Sequence, residues 1–311
     1  MQYFSGRGLS LDYSEVNRAV ESAFADHGMG IVQMPPKVYI TLPAGDFRTM
    51  PAYLPSLKTA GVKIVNVHPE NPSRGLPTVM ALTIILDPPT GQPVAILNAT
   101  ALTDMRTGSA GAVAIKYLVP KKRIILGIAG TGRQAESQLL ATAEEREIDR
   151  VLVWSRNPRH ADAFAGKMHR FDCTSVSLQK ICDADVIVTT TPSRTPYLKS
   201  EWVHDGTHIN AIGADAPGKE ELDPALLSRS QVFVDDMAQA VHSGEVNVPI
   251  EKGIYTPSEI AGTLGEVVIG KKGREDPDRI TIFDSTGLAI QDLAIAHIAM
   301  QRWSAIDLSF L

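Results

Sequence analysis

Ile124-Ile-Leu-Gly-Ile-Ala-Gly130-Thr-Gly132-Arg-Gln-Ala135 reads as an apolar strand, a glycine turn and the start of a helix, in that order. In this G-x-G-x-x-A pattern Gly130 permits the tight turn and Gly132 lets a pyrophosphate approach the backbone. Ala135 lets the helix pack closely on the strand. Free N–H groups and the dipole at the helix N-terminus favour an anion. Gly130, Thr131, Gly132, Arg133, Gln134 and Ala135 are therefore candidate dinucleotide contacts. The plain alternative is a glycine turn with no ligand.

Outward from this stretch, short apolar runs recur at Ile124–Ala129, Val151–Trp154, Val186–Thr190, His208–Ile212, Val232–Val234 and Ile280–Phe283. Helical patterns at Gln134–Arg146 and Arg159–His169 separate several of them. Such alternation predicts a parallel sheet covered on both faces, a Rossmann-type doubly wound α/β domain over 119–283. Before it the rhythm differs. Asp12 opens a helix that runs to Gly28, and strands follow without helices from Lys37 to about Asn98, which suggests an antiparallel sheet. A helix from about Thr103 to Leu118 closes this part. The last helix, from about Gly287 to Trp303, is expected to return to it. The second domain is then discontinuous and α+β, 1–118 with 284–311.

Composition narrows the function classes. The 311 residues are 44% hydrophobic and 21% charged with net charge −5, and no run of five like charges occurs. Nucleic acid is not an expected partner, because phosphate binding needs a concentrated basic face. Lys121, Lys122 and Arg123 suit a helix end instead. The longest apolar stretch, near Val79–Leu86, is too short for a membrane span. Cys173 and Cys182 form no redox or metal pair and read as buried thiols, so a cytoplasmic, reducing location is expected. The eight histidines show no metal-ligand spacing, and no metal is expected. His68 and His208 read as packed strand residues.

The strand Val151–Trp154 is followed by Ser155-Arg156-Asn157, with no acid to accept the adenosine ribose hydroxyls. Ser155 and Arg156 suit a 2′-phosphate, which favours NADP, with NAD still admissible. Alternatively, Arg156 lies over adenine or faces solvent. Thr190 and Thr191, where the strand Val186–Thr190 ends, complete the expected cofactor contacts.

Lys63 shares a strand face with Val65 and Val67, a costly setting for a charge unless something pairs with it. Arg106 is expected in the first turn of its helix, where the dipole disfavours a cation unless an anion sits there too. With Arg48 these residues either form separate ion pairs or together clamp a substrate carboxylate. Asp215 follows a parallel strand at its carboxyl end, where open α/β sheets bind ligands. It is the acid–base candidate; the competing reading is a cap for the next helix.

The chain resembles the ornithine cyclodeaminase/mu-crystallin family, and within it the archaeal-type alanine dehydrogenases most closely. The resemblance rests on Gly61–Asn71 (GVKIVNVHPEN), Arg74–Ala81 (RGLPTVMA), Thr103–Gly108 (TDMRTG), Gly130–Ala135 (GTGRQA), Gly213–Leu222 (GADAPGKEEL) and Phe283–Gly287 (FDSTG). It implies a homodimer whose discontinuous domain builds the interface and takes the substrate. It also implies that Arg48, Lys63 and Arg106 hold a substrate carboxylate and that Lys63 and Asp215 are catalytic. Ser285 and Gly287 would lie beside the nicotinamide and substrate. The activity implied is NAD(P)-dependent oxidoreduction at the α-carbon C–N bond of a small amino or imino acid, such as alanine or pyrroline-2-carboxylate. Other members implied as alternatives are ornithine cyclodeaminase and mu-crystallin-like NADP-dependent binding proteins.

Overall fold

The computed structural model describes residues 1–6 and 11–309, and the chain divides into two compact units. One comprises Met1–Arg106 with Leu288–Leu311, the other Thr107–Gly287. The boundary falls inside helix α2 (Thr100–Leu118).

The first unit is built on a seven-stranded sheet. Its strands are β1 (Gln2–Phe4), β2 (Val38–Leu42), β3 (Gly45–Leu54), β4 (Thr59–Val67), β5 (Val79–Leu86), β6 (Pro93–Asn98) and β15 (Ile306–Asp307). β2 to β6 form the expected antiparallel meander. The sheet is nevertheless mixed, because β1 pairs parallel to β6 and antiparallel to β15. Strand β3 contains Pro51, which usually argues against a strand interior. Here β2 pairs with β3 only as far as Thr49, so Pro51 lies past the end of that ladder.

Helices α1 (Tyr13–Gly28) and α9 (Ala289–Arg302) pack together, and α9 also packs on β3, β4 and β5. Asp12 caps α1 by accepting a hydrogen bond from the Ser14 amide at 2.8 Å. Val16, Val20 and Phe24 of α1 are buried, as is Leu293 of α9. Burial alternates along β4: Gly61, Lys63 and Val65 are buried, whereas Ile64 is 37% exposed. This two-residue period puts Lys63 on the inner face of the sheet.

The second unit carries eight parallel strands: β7 (Arg123–Ala129), β8 (Glu147–Trp154), β9 (Cys173–Ser175), β10 (Val186–Thr189), β11 (His208–Ala211), β12 (Ser230–Val234), β13 (Gly262–Thr263) and β14 (Ile280–Asp284). Their order is β13-β12-β14-β11-β10-β7-β8-β9. Strand order reverses between β7 and β10, the crevice where doubly wound sheets take ligands. Helices α3 (Arg133–Thr142), α4 (Pro158–Lys167), α5 (Pro224–Arg229), α6 (Met237–Ser243), α7 (Asn247–Glu251) and α8 (Leu264–Val268) complete the unit. Two separate apolar clusters account for the all-apolar strand sequences. Ile124, Leu126 and Ile128 belong to one, while Ile187, Ile209 and Ile282 belong to the other. The α/β class with a Rossmann-type parallel sheet and a separate mixed-sheet domain is thus as the sequence predicts. No described helix is long and apolar enough to cross a membrane.

Candidate active site

In the second unit the glycine turn follows β7 directly. Gly130 has φ +115°, and a Cβ there would lie 2.4 Å from Thr190 Oγ1. Its amide donates to the Trp154 carbonyl at 2.8 Å, tying the turn to the end of β8. Gly132 forms the N-cap of α3 and supplies no capping side chain, and a Cβ on it would meet nothing within 4 Å. An uncapped helix N-terminus beside open space fits a pyrophosphate. Ala135 is fully buried in the sheet's apolar cluster, as close helix–strand packing requires. An open cleft beside the turn is lined by Thr131, Gly132 and Arg133, with His160 and Lys167 from α4.

Beyond β8, Ser155 is half-buried and Arg156 exposed. Asn157 has a local duty, for its side chain accepts from the Arg159 amide at 3.1 Å and caps α4. Thr190 donates its hydroxyl to the Ala129 carbonyl at 3.1 Å, and Thr191 donates its own to Glu221 at 2.7 Å. Both hydroxyls therefore have protein partners at the rim.

Asp215 lies in the turn after β11, where Lys219 Nζ donates to its Oδ1 at 2.5 Å. It does not cap the next helix: Asp223 does that, accepting from the Ala225 amide at 3.0 Å. After β14, the Thr286 and Gly287 amides donate to Asp235 Oδ2 at 2.7 and 2.6 Å. The fully buried Asp235 thus fixes the segment carrying Ser285 and Gly287. Ser285 itself is 3% exposed, and its hydroxyl has no hydrogen-bond partner among the described residues. A buried orphan hydroxyl costs stability unless a ligand engages it. Together with the open N-terminus of α3, it makes the rim a fit for a dinucleotide.

In the first unit, Lys63 is 1% exposed and donates to Asp292 Oδ1 at 2.8 Å. Arg106 Nε lies 3.0 Å from the same oxygen, and Arg106 Nη1 donates to Gln291 Oε1 at 2.8 Å. Two cations thus share one carboxylate, while Asp292 Oδ2 and Gln291 Nε2 are buried without partners among the described residues. Burial, and then the Arg106 charge, lower the Lys63 pKa to about 7, against the opposing pull of Asp292. Arg106 is not in the first turn as the sequence suggests. The helix starts three residues earlier, at Thr100, so Arg106 sits in its second turn and the anion facing it is Asp292 rather than a group at the helix end.

Arg48 is on the same sheet face, since Arg48 opposes Val65 and Met50 opposes Lys63. It pairs with Asp46 at 2.8 Å and lies 4.9 Å from the Tyr39 ring centroid. The structure joins Lys63 and Arg106 through Asp292 and gives Arg48 separate partners.

Asp292 and Gln291 are absent from the sequence reading, yet a signal was present. They are the polar pair in Leu288-Ala-Ile-Gln291-Asp292-Leu-Ala-Ile-Ala296, and a charge within so apolar a helix calls for a partner. Asp235 and Glu221 carried no such signal, because their loops are polar.

His208 is buried, with Nδ1 2.8 Å from Thr281 Oγ1 and Nε2 2.9 Å from Asn210 Oδ1. Burial lowers its pKa to about 3, which suits a neutral packed histidine. Burial also raises both cysteine thiols to about 11, and so makes them poor nucleophiles.

A glycine turn at the switch point of a parallel sheet, beside an uncapped helix N-terminus, is the arrangement of dinucleotide-binding α/β proteins. The model of the ornithine cyclodeaminase/mu-crystallin family matches residues 7–307, and the chain belongs to that family. It is 48% identical over 298 residues to the alanine dehydrogenase of Archaeoglobus fulgidus, covering 94% of this chain and 91% of the relative. An archaeal alanine dehydrogenase, solved as a dimer with bound NAD, superposes with a TM-score of 0.93 at 43% identity, over 99% of this chain and 100% of that one. The Δ1-pyrroline-2-carboxylate reductase of Thermococcus litoralis, solved with NADH and L-proline, also gives 0.93, at 34% identity and the same coverage. The family and enzyme class expected from the sequence are thus borne out: this is an oxidoreductase of the alanine dehydrogenase and imino acid reductase type.

Proposed function

We propose that the protein transfers hydride between NADP(H), in preference to NAD(H), and the α-carbon of a small amino or imino acid, with alanine/pyruvate or a cyclic ketimine as the substrate class. The buried Lys63–Asp292–Arg106 cluster carries this reading. With both basic groups charged it holds two positive charges against one negative, so a substrate carboxylate would balance it. Guanidinium geometry suits that anion, and Arg48 stands on the same sheet face. The bound cofactor supplies or accepts the hydride. Thr131 to Ala135, at the start of α3, hold the pyrophosphate. Ser155 and Arg156 face the adenosine ribose, and the Ser285 hydroxyl and Gly287 serve the nicotinamide end.

Lys63 and Arg106 fix the carboxylate, and fixed orientation supplies much of the rate. With a pKa near 7, Lys63 can also hold or release a proton at the operating pH. Asp215 moves the proton on the reacting nitrogen or on attacking water.

A homodimer in the cytoplasm belongs to the same proposal. The sheet face opposite Lys63 presents Ile40, Ile64 and Leu82 at 45, 37 and 45% exposure. Ile64 and Leu82 are directly paired, and Ile40 pairs with Phe47 on the same face. An apolar sheet face of this kind suits a second copy of the chain.

The test is a screen for NADPH and NADH oxidation with pyruvate plus ammonia and with cyclic ketimines, run alongside ammonia release from ornithine. Imine-dependent oxidation of NADPH is the expected result. Ammonia release from ornithine without net cofactor change would make the protein a cyclodeaminase instead.

A further inference from the structure

Glu221 stands behind the rim at which β10 and β11 end, and it is fully buried. Its Oε1 accepts from the Thr191 amide, the Thr191 hydroxyl and the Tyr197 phenol, each at 2.7 Å. Its Oε2 accepts from the Thr189 hydroxyl at 2.7 Å and the Gly213 amide at 2.9 Å. Five donors thus converge on one carboxylate. They come from the last residue of β10, the loop it enters, and the start of the Gly213–Asp215 turn.

The neighbouring chain is shaped around this contact. A Cβ on Gly213 would lie 2.1 Å from the Thr191 carbonyl oxygen and 2.5 Å from Glu221 Oε2. Only glycine lets the turn come so close. From behind, the Glu221 and Leu222 amides donate to Glu245 Oε1 at 2.8 and 2.6 Å, which fixes the backbone that carries Glu221. Tyr197 reaches the other way: its ring centroid lies 5.4 Å from that of Trp154, the residue before Ser155.

β10 and β11 are already joined by a parallel ladder from Val186 to Thr189, so their pairing needs no carboxylate. What Glu221 adds lies beyond the strand ends, where the ladder stops and the candidate ligand residues begin. A buried carboxylate is costly, and charge-assisted bonds to fixed donors offset that cost.

We propose that Glu221 is the positioning residue of the nicotinamide end of the cofactor site. It clamps Thr190–Thr191 and Gly213–Asp215 into one rigid rim. This rests on the dinucleotide reading of the rim given above.

The experiment compares binding of NADPH with that of ADP-ribose phosphate, which lacks the nicotinamide half, and measures kcat with the best substrate of the screen. Glu221→Gln keeps the size but replaces one accepting oxygen with an NH2 group that faces donors. It is expected to leave ADP-ribose phosphate affinity within about twofold and to weaken NADPH about tenfold. The kcat should fall by about 10- to 100-fold, the scale of a small misplacement of reacting groups. Equal weakening of both ligands, or an unchanged NADPH preference with unchanged kcat in a folded variant, overturns the proposal. Should Glu221→Gln not fold, Gly213→Ala displaces the same turn and is judged on the same two readings. If the unmodified protein binds ADP-ribose phosphate and NADPH equally, the rim has no nicotinamide end to position and the proposal fails. If it binds neither, the dinucleotide reading fails first and takes this proposal with it.

Discussion

Lys63 and Asp292, 229 residues apart in the chain, meet as a buried ion pair at 2.8 Å. Neither is tolerable alone among apolar neighbours, and each explains the other. Arg106 at 3.0 Å from the same Asp292 oxygen makes the pair a triad of two basic groups and one acid.

The lowered pKa of Lys63 has a definite sign. Its folded value, about 7, lies below the ordinary 10.5, so the unfolded chain binds the extra proton more readily. The stability penalty of charging Lys63 is fully present below about pH 7 and is relieved as pH rises towards 10.5. Replacing Lys63 by Met should therefore alter the urea midpoint more favourably at pH 6 than at pH 10. The activity profile should follow the same group: kcat/KM for imine reduction should fall above about pH 7, as the charged lysine is lost. Lys63→Arg, which stays charged, should remove that inflection. An inflection retained in the arginine variant would assign it to another group.

Asp292→Asn should destabilise the fold by about 3–5 kcal/mol, the usual consequence of breaking a buried ion pair from one side. Asp292 raises the Lys63 pKa against burial, so its loss should move the inflection of kcat/KM to lower pH. Thermal unfolding and the pH profile of the same variant test both effects.

Much of this was legible in the sequence, and for identifiable reasons. The Gly130–Ala135 turn and the strand rhythm around it depend on local chemistry, so the parallel sheet could be read directly. Lys63 stood out because a charge in an apolar period is a local anomaly. Asp292 was a similar anomaly in its apolar helix, but the pairing of the two was not legible, because α9 reaches β4 only through tertiary packing. The start of α2 was misplaced by three residues because Asn98, Thr100 and Thr103 all suit a helix start. In the structure the Asn98 side chain receives the Thr100 amide, and the Thr103 hydroxyl donates to the Ala99 carbonyl inside the helix. Glu221 and Asp235 escaped notice because a carboxylate in a polar loop is ordinary until its burial is known.

The exposed apolar sheet face predicts its own disruption. Leu82→Glu, or Ile64→Glu beside it, places a carboxylate where a second sheet would pack, and burying such an unpaired charge costs several kcal/mol. Sedimentation should show a dimer for the unmodified protein and a monomer for the variant, with the melting curve otherwise cooperative. A variant that remains dimeric would move the interface elsewhere.

Arg156 should decide between the two cofactors. It is exposed at the end of β8, and no acid follows that strand. Arg156→Ala should weaken NADPH roughly tenfold, on the scale of one hydrogen bond to a charged group, and leave NADH nearly unchanged. Titration of both cofactors against both proteins measures this. Equal affinities in the unmodified protein would overturn the NADP preference.

Asp215 is the group on which the catalytic reading depends most directly. It occupies the turn at the carboxyl end of β11, its side chain held by Lys219 at 2.5 Å, and helix capping, the structural duty that would explain it otherwise, falls to Asp223. Asp215→Asn keeps the shape and a hydrogen-bonding oxygen but cannot accept the proton. Folding and NADPH binding should therefore survive, while kcat falls by roughly 10²–10⁴, the range for a lost general acid–base. Lys219→Met separates positioning from proton transfer. It leaves the carboxylate in place but frees it to move, so it should lower kcat less than Asp215→Asn does and should not abolish the pH dependence. If Asp215→Asn turns over at the unmodified rate, the proton moves through another group, and Lys63, with its pKa near 7, becomes the acid–base residue to test next.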